Sequence, residues 1–218
     1  AGHAVFTLTE LAIVMVIMAL LIGGMLIPLS TQRDIQNTNN TQKQLSEIRE
    51  ALVGFAAANG RLPCPASPAA TGIENPAGGG ACVNPKDGFV PGATLGIGPT
   101  DAQGYVLDAW GNRIRYAVTN WQSGGGATHP NAFTTVDGIK GAWNDAAVTI
   151  APNLRVCSTS VGIGGSACAA SMTLSYETAA ILVSSGRNGG STPTGADELA
   201  NTDNNSTFVS HAPTPADA

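Results

Sequence analysis

The stretch that decides the fold is residues 6–29, FTLTELAIVMVIMALLIGGMLIPL, which is almost wholly apolar and carries one charged side chain, Glu10. From Leu11 onward it is long enough, at about 1.5 Å per residue, to cross a hydrocarbon core roughly 30 Å thick. A secretory signal peptide is the alternative, but its apolar core has about 7–15 residues and ends at a small-residue cleavage site. This run continues into a polar helical pattern, so residues 1–29 are predicted to hold a membrane-spanning helix.

Glu10 is the unusual residue in this segment. A carboxylate in an apolar helix costs about 2.5–3.5 kcal/mol at the bilayer centre and less near the interface. No Lys or Arg precedes Glu10, and the next basic residue is Arg33. The nearest cation is therefore an N-terminal amine, of the same chain or of another copy. Two interpretations stay open: Glu10 pairs with such an amine, or it faces lipid headgroups at a simple anchor.

The helical pattern persists beyond the apolar run. Residues 30–60 are predicted to form an amphipathic half of the same helix, because apolar side chains recur there at spacings near three, four and seven: Ile35, Leu45, Ile48, Leu52 and Phe55. Asn59-Gly60 supplies a stop signal, and Pro63 forbids continuation. One helix of about 50 residues, near 75 Å long, is expected. Gly23, Gly24 and Pro28 interrupt it, and they favour a kink or an unwound segment over the alternative of a mild bend.

The remaining residues, 61–218, differ abruptly in composition and are predicted to form one globular head. They are rich in Gly, Ala, Ser, Thr, Asn and Pro, and charged residues make up only 11% of the whole chain. Short β-like runs stand between turn signals at residues 113–118, 147–151, 172–176, 179–184 and 207–209. The predicted fold is therefore α+β, with the long N-terminal helix packed on a single antiparallel sheet that carries long loops.

The four cysteines form two local pairs, Cys64 with Cys82 and Cys157 with Cys168. In an exported head an even number of cysteines favours disulfides, and sequence proximity favours these partners among the three possible pairings. Each bond would stabilise the head by about 2–4 kcal/mol. Zinc is the weaker alternative, because neither pair has C-x-x-C spacing and the three histidines are scattered: His3, His129 and His211.

The N-terminal motif Phe6-Thr7-Leu8-Thr9-Glu10-Leu11, followed by Ile, Val, Met and Leu, resembles the N-terminus of type IV pilins and of the pseudopilins of type II secretion systems. The resemblance implies that a prepilin peptidase cuts before Phe6 and methylates its new amine. It also implies that the helices pack into the core of a helical homopolymer. Glu10 would there meet the terminal amine of a neighbouring subunit, and the Gly23, Gly24 and Pro28 region would be melted.

The same resemblance implies that the inner membrane, the peptidase and the pilus assembly machinery are partners of the chain. One residue departs from the family pattern, since Val5 stands where the family usually has Gly. Either residues 1–5 are a leader remnant cut at an atypical site, or the peptidase cuts elsewhere, after Gly2 or Ala4, and the mature chain begins earlier.

Residues 108–116, DAWGNRIRY, are the second informative stretch. They resemble the D-P-W-G-x-x-Y segment of major pseudopilins, with Ala109 in place of Pro. Asp108 and Gly111 are expected to form a turn that enters the first strand, while Trp110 and Tyr116 pack on the helix.

Residues 195–205 concentrate oxygen donors near the C-terminus, and hard cations such as Ca²⁺ are bound by six to eight oxygens. Major pseudopilins carry a calcium site in a C-terminal loop, so the resemblance makes Asp197, Glu198 and Asp203 candidate calcium ligands. The alternative is a solvated, turn-forming loop without metal, since the spacing matches no EF-hand.

No catalytic pattern emerges from the chain, which is expected not to be an enzyme. The triplets at residues 78–80 and 124–126 are Gly-rich but lack the Lys of a phosphate-binding loop. A net charge of −5 and a pI near 5.0 argue against nucleic-acid binding by bulk electrostatics.

Three functions remain after these exclusions. The leading prediction is a structural subunit of a type IV pilus-like filament, held in the inner membrane before assembly and extracellular afterwards. The second is a pseudopilin of a periplasmic type II secretion pseudopilus. The third is a monomeric, membrane-anchored binding protein, for which Glu10 would only face the interface.

Overall fold

The computed structural model describes residues 7–68, 71–123, 128–163, 167–190, 192–193 and 195–210, except for the side chains of residues 22–31. Phe6, the predicted processing site, lies outside these ranges. The fold mixes helices with two small sheets. Helix α1 is Leu8–Asn59, and the shorter helices are α2 Gly92–Leu95, α3 Gly138–Asn144 and α4 Ala196–Ala200. The strands are β1 Gly88–Phe89, β2 Arg115–Val118, β3 Leu154–Cys157, β4 Thr173–Thr178, β5 Ala180–Val183 and β6 Thr207–Val209.

Helix α1 has 52 residues and ends at the predicted stop signal, because Gly60 takes the left-handed conformation with φ 65°. The chain divides into two compact units, Ala1–Asn39 and Asn40–Ala218. The division falls inside residues 30–60, the predicted amphipathic half of the helix. Residues 40–59 therefore belong to the head unit.

The first sheet explains why that part of α1 belongs to the head. Its strands are antiparallel in the order β1-β2-β5, and Tyr116 pairs with Gly88 on one side and Leu182 on the other. Ile48 and Leu52 of α1 are buried in one core with side chains from the sheet and its loops: Val90, Val106, Ile114, Tyr116 and Val118. Burial of this apolar stripe holds helix and sheet together.

A second sheet has the order β4-β3-β6, in which β4 is antiparallel to β3 and β6 is parallel to it. The predicted antiparallel sheet on the C-terminal half of α1 is therefore present as the first sheet, and the prediction missed this second, mixed sheet. The two sheets share a small core, in which Ala117 of the first packs with Leu154 and Phe208 of the second. Because β3 and β6 are distant in sequence and run parallel, no hairpin signal could indicate their pairing.

The strand predicted at residues 147–151 is also wrong. These residues follow α3 without joining a sheet, and β3 begins later, at Leu154. The side chain of Asp145 accepts the backbone N–H of Ala147 at 3.0 Å, and its carbonyl accepts that of Val148 at 3.0 Å. An aspartate turn thus uses the donors that a strand would need, while Val148 and Ile150 pack against the Trp121 and Phe133 core.

A buried ion pair fixes the chain where it leaves α1. The Arg61 guanidinium donates two bonds of 2.7 Å to the Glu74 carboxylate, and both side chains are 6% exposed. Glu74 also accepts the backbone N–H groups of Cys64 at 3.1 Å and Gly78 at 3.2 Å. Burial alone would raise the pKa of Glu74, but these donors and the charge of Arg61 outweigh it, so the pKa lies below its ordinary value.

Candidate assembly surface

The N-terminus of α1 places Glu10 in a capping box. Thr7 precedes the first helical residue, and its backbone N–H and hydroxyl each donate to Glu10 Oε2 at 2.9 Å. In return, the backbone N–H of Glu10 lies 3.4 Å from Thr7 Oγ1. These reciprocal bonds satisfy orphan donors at the helix end. The Thr7-x-x-Glu10 spacing is the sequence signal for this motif.

One oxygen of the Glu10 carboxylate accepts no hydrogen bond from the capping box. Both bonds that it accepts from Thr7 end on Oε2, and both residues are exposed. Among the described residues, Oε1 has no donor. A carboxylate can accept at both oxygens, so the cap and a cation from elsewhere are compatible.

Apolar side chains cover every side of α1 over residues 8–21, and we call this the apolar helix surface. The large members are each 50–88% exposed: Leu8, Leu11, Ile13, Val14, Met15, Val16, Ile17, Met18, Leu20 and Leu21. A soluble amphipathic helix would instead show one apolar stripe. A surface of this size and continuity marks contact with other protein or with lipid.

Within the described residues, no helix combines the length and the apolarity that crossing a membrane requires. The predicted span includes residues 22–29, whose side chains lie outside the description. The membrane span therefore stays a prediction.

The backbone is helical through Gly23, Gly24 and Pro28. No unwound segment is therefore present in the described backbone, and a kink there stays a prediction. A proline removes one backbone donor and disturbs the preceding turn, at a cost of about 3 kcal/mol. The flanking Met and Leu residues favour helix and oppose that effect.

The turn predicted at residues 108–112 is present. Asp108 is 4% exposed, and its Oδ1 accepts the backbone N–H groups of Trp110 at 2.9 Å and Asn112 at 2.8 Å. Its Oδ2 accepts the hydroxyl of Ser184 at 2.7 Å, which ties the turn to the end of β5. Gly111 supplies the positive φ of 84° that the turn requires.

Ala109 stands where the similar segment of major pseudopilins has Pro, and it contacts the helix. Its backbone N–H donates to Thr41 Oγ1 of α1 at 3.1 Å, a bond that proline could not make. Tyr116 lies in the core as predicted, and its hydroxyl donates to the Pro63 carbonyl at 3.1 Å. The turn therefore anchors the head to residues 40–59 of the helix.

The structure joins the cysteine partners favoured by the sequence. Cys64–Cys82 and Cys157–Cys168 are disulfides, and each closes a loop within the head unit. The first lies beside the Arg61 and Glu74 pair, because the backbone N–H of Cys64 donates to Glu74.

The candidate calcium residues are engaged locally. Asp197 accepts the backbone N–H of Ser160 at 2.7 Å, and Asp203 accepts that of Asn205 at 3.2 Å. Glu198 lies with Asp197 in the first turn of α4. In the part of the chain that the structure describes, no cluster of three His, Cys, Asp or Glu side chains is placed to hold a metal. The calcium site stays a prediction.

No protein-family model, curated protein or solved structure matches this chain.

Proposed function

We propose that the chain is the structural subunit of a type IV pilus-like filament and that it polymerises through the apolar helix surface. The observation that carries the proposal is the exposure of apolar side chains on all sides of residues 8–21. Such a helix needs a cover of lipid before assembly and of other helices afterwards. The prepilin-like motif at residues 6–11 supports the same interpretation.

Glu10 sets the register between neighbouring helices that pack through this surface. When apolar helices pack around Glu10, its carboxylate loses water and needs a cation. No Lys or Arg lies between Glu10 and Arg33. The terminal amine of a neighbouring copy supplies one, while the capping box holds the carboxylate at the helix end. In this proposal the inner membrane holds the subunit, a prepilin peptidase processes it, and the assembly machinery extracts it.

Replacing Glu10 by Leu tests the proposal. We expect the yield of sheared, sedimentable filaments to fall at least about tenfold, since about 1.4 kcal/mol lost per contact changes an association constant tenfold. Membrane levels of the subunit should stay near wild type. Filament yield by sedimentation and electron microscopy, against subunit level by immunoblot, measures both.

Thr7→Val is the matched control, because it removes the hydroxyl from the capping box and keeps the charge of Glu10. The backbone N–H of residue 7 still donates to Glu10 in this variant, so it should lose much less filament yield than Glu10→Leu does. Equal assembly of the Glu10→Leu and wild-type chains would instead show that Glu10 has no role between subunits.

The capping box favours a second candidate, the monomeric membrane anchor. Oε2 of Glu10 already accepts two bonds from Thr7 of its own chain. A monomeric anchor therefore needs no neighbouring subunit to satisfy this oxygen. An anchor would yield no polymer at any expression level.

The turn at Asp108 favours the pseudopilin alternative, since it forms at the segment that resembles major pseudopilins. An external pilus gives long fibres in sheared cell-surface material. A pseudopilus does not, because it stays in the periplasm.

A further inference from the structure

A run of weak helix formers lies in the middle of α1. Residues 36–40 read Gln-Asn-Thr-Asn-Asn, and we call them the polar segment. Asn and Thr side chains compete for the backbone hydrogen bonds of a helix, so each lowers the helix–coil equilibrium about threefold relative to Ala. Thr38 shows this competition, because its hydroxyl donates to the carbonyl of Asp34 at 2.9 Å. The polar segment is therefore a weak point of the helix.

Packing gives the polar segment little support. None of its five side chains is buried, and Ile35, just before it, is 57% exposed. Firm contact with the head is present at the next residue, Thr41, which is 5% exposed and whose Oγ1 accepts the backbone N–H of Ala109 at 3.1 Å. A helical segment with few buried contacts opens locally at a low free energy. The polar segment can therefore open while the residues after it stay folded.

The residues just beyond the polar segment carry a signal for the start of a helix. Thr41 and Gln44 have the S/T-x-x-E/Q spacing of a capping box, and the apolar stripe that begins with Leu45 and Ile48 follows them. In a capping box the side chain of the fourth residue accepts the backbone N–H of the first. Inside the continuous helix that N–H bonds to the preceding turn. The signal at Thr41 is therefore unused in the structure.

The side chain of Gln44 gives independent support for an unused cap. Its Oε1 is buried and, within the described residues, accepts no hydrogen bond. A buried acceptor without a donor destabilises the state that contains it. Unwinding of the polar segment would free the backbone N–H of Thr41, which is the donor that a capping box presents to this oxygen. Thr41 Oγ1 could keep its bond from Ala109 at the same time, because a hydroxyl oxygen has two acceptor lone pairs.

We propose that α1 has a second, latent N-terminus at Thr41. In the alternative state the polar segment unwinds, residues 42–59 stay helical, and Gln44 caps them. The same motif already begins α1, where Thr7 and Glu10 form a capping box. The core of the first sheet holds the remaining helix on the head in both states. The inference goes beyond the proposed function, because it applies to an unassembled subunit as well.

Amide hydrogen exchange of the detergent-solubilised full chain tests the latent N-terminus. The amides of the polar segment should exchange at least about tenfold faster than those of residues 45–55. Gln44→Leu removes both the cap and the buried acceptor, so exchange in the polar segment should slow about threefold to tenfold, the effect of one hydrogen bond. Gln44→Glu places an acid at the new helix N-terminus, which strengthens the cap, and should speed exchange by a similar factor.

Gln42→Leu is the matched control, because Gln42 is exposed and is not one of the two capping-box residues. It should change exchange in the polar segment by less than about twofold. The amides of β2 and β5 should stay protected in every variant, since the head does not open. Equal exchange in the polar segment and residues 45–55, unchanged rates in both Gln44 variants, or joint loss of protection in β2 and β5 would each overturn the inference. Filament formation is tested separately by Glu10→Leu.

Discussion

Replacing Arg61 by Met should lower the free energy of unfolding by about 3–5 kcal/mol, because removal of one partner leaves a buried charge uncompensated. The Glu74 carboxylate would lose both 2.7 Å bonds in a site where its side chain is 6% exposed. Arg61 also lies over the Phe55 ring, 5.0 Å from its centroid. Denaturant unfolding of the detergent-solubilised full chain, followed by tryptophan fluorescence, measures the loss.

Two further variants test whether the effect comes from the buried charge of Glu74 or from the loss of any arginine side chain. Arg113→Met removes the partner of Asp101, but that pair is 31% and 19% exposed, so we expect a change of only about 0–1 kcal/mol from the lost ion pair. Arg61→Met with Glu74→Leu should recover much of the stability, because no buried charge then remains. A loss below about 1 kcal/mol for Arg61→Met would mean that Glu74 is not effectively buried.

The pH dependence of unfolding gives the same pair another signature. The folded pKa of Glu74 lies below the ordinary value of 4.5, so the folded state favours the ionised carboxylate. This stability is present above about pH 4.5 and is lost as the pH falls through the folded pKa. The Arg61→Met variant lacks the cation, so in it Glu74 should contribute a smaller loss of stability on acidification. Unfolding midpoints between pH 7 and 3 measure the difference.

The parts of the fold that the sequence predicted depend on local signals. The end of α1 follows from Asn59-Gly60, because glycine alone readily takes the positive φ that stops the helix. The turn at residues 108–112 follows from Asp108 and Gly111, whose roles need only nearby backbone. The disulfide partners follow from short sequence separations, 18 and 11 residues.

The parts that the sequence missed depend on distant partners. Residues 147–151 have strand-forming composition, but Asp145 takes their donors, and a turn results. The parallel pairing of β3 with β6 brings Arg155 beside Thr207, which no local pattern predicts. The burial of Arg61 depends on its pair with Glu74, which is 13 residues away in the sequence.

The candidate assembly surface divides in the same way. Glu10 and the apolar run are visible in the sequence, and so is the capping-box spacing with Thr7. The exposure of Trp143 is not, because a tryptophan in a short amphipathic segment is more often buried. Ala142 packs with Trp121 and Phe133, whereas the next residue, Trp143, is 79% exposed in the head.

The second large effect is expected for Ile48→Ala, which should destabilise the head by about 2–5 kcal/mol. Ile48 is 2% exposed, and it packs against the core of the first sheet, beside Leu52 and Tyr116. Truncation would remove apolar contacts and leave a cavity that the rigid strands cannot readily fill. Thermal and denaturant unfolding of the full chain measure this loss.

Val53→Ala on the same helix is the matched control, since Val53 is 63% exposed and its truncation should change stability by no more than about 0.5 kcal/mol. Both substitutions replace a β-branched residue by Ala, so their effects on helix propensity are similar. The difference between the two variants therefore reports packing against the sheet. Equal effects would mean that residues 40–59 do not share a core with the head.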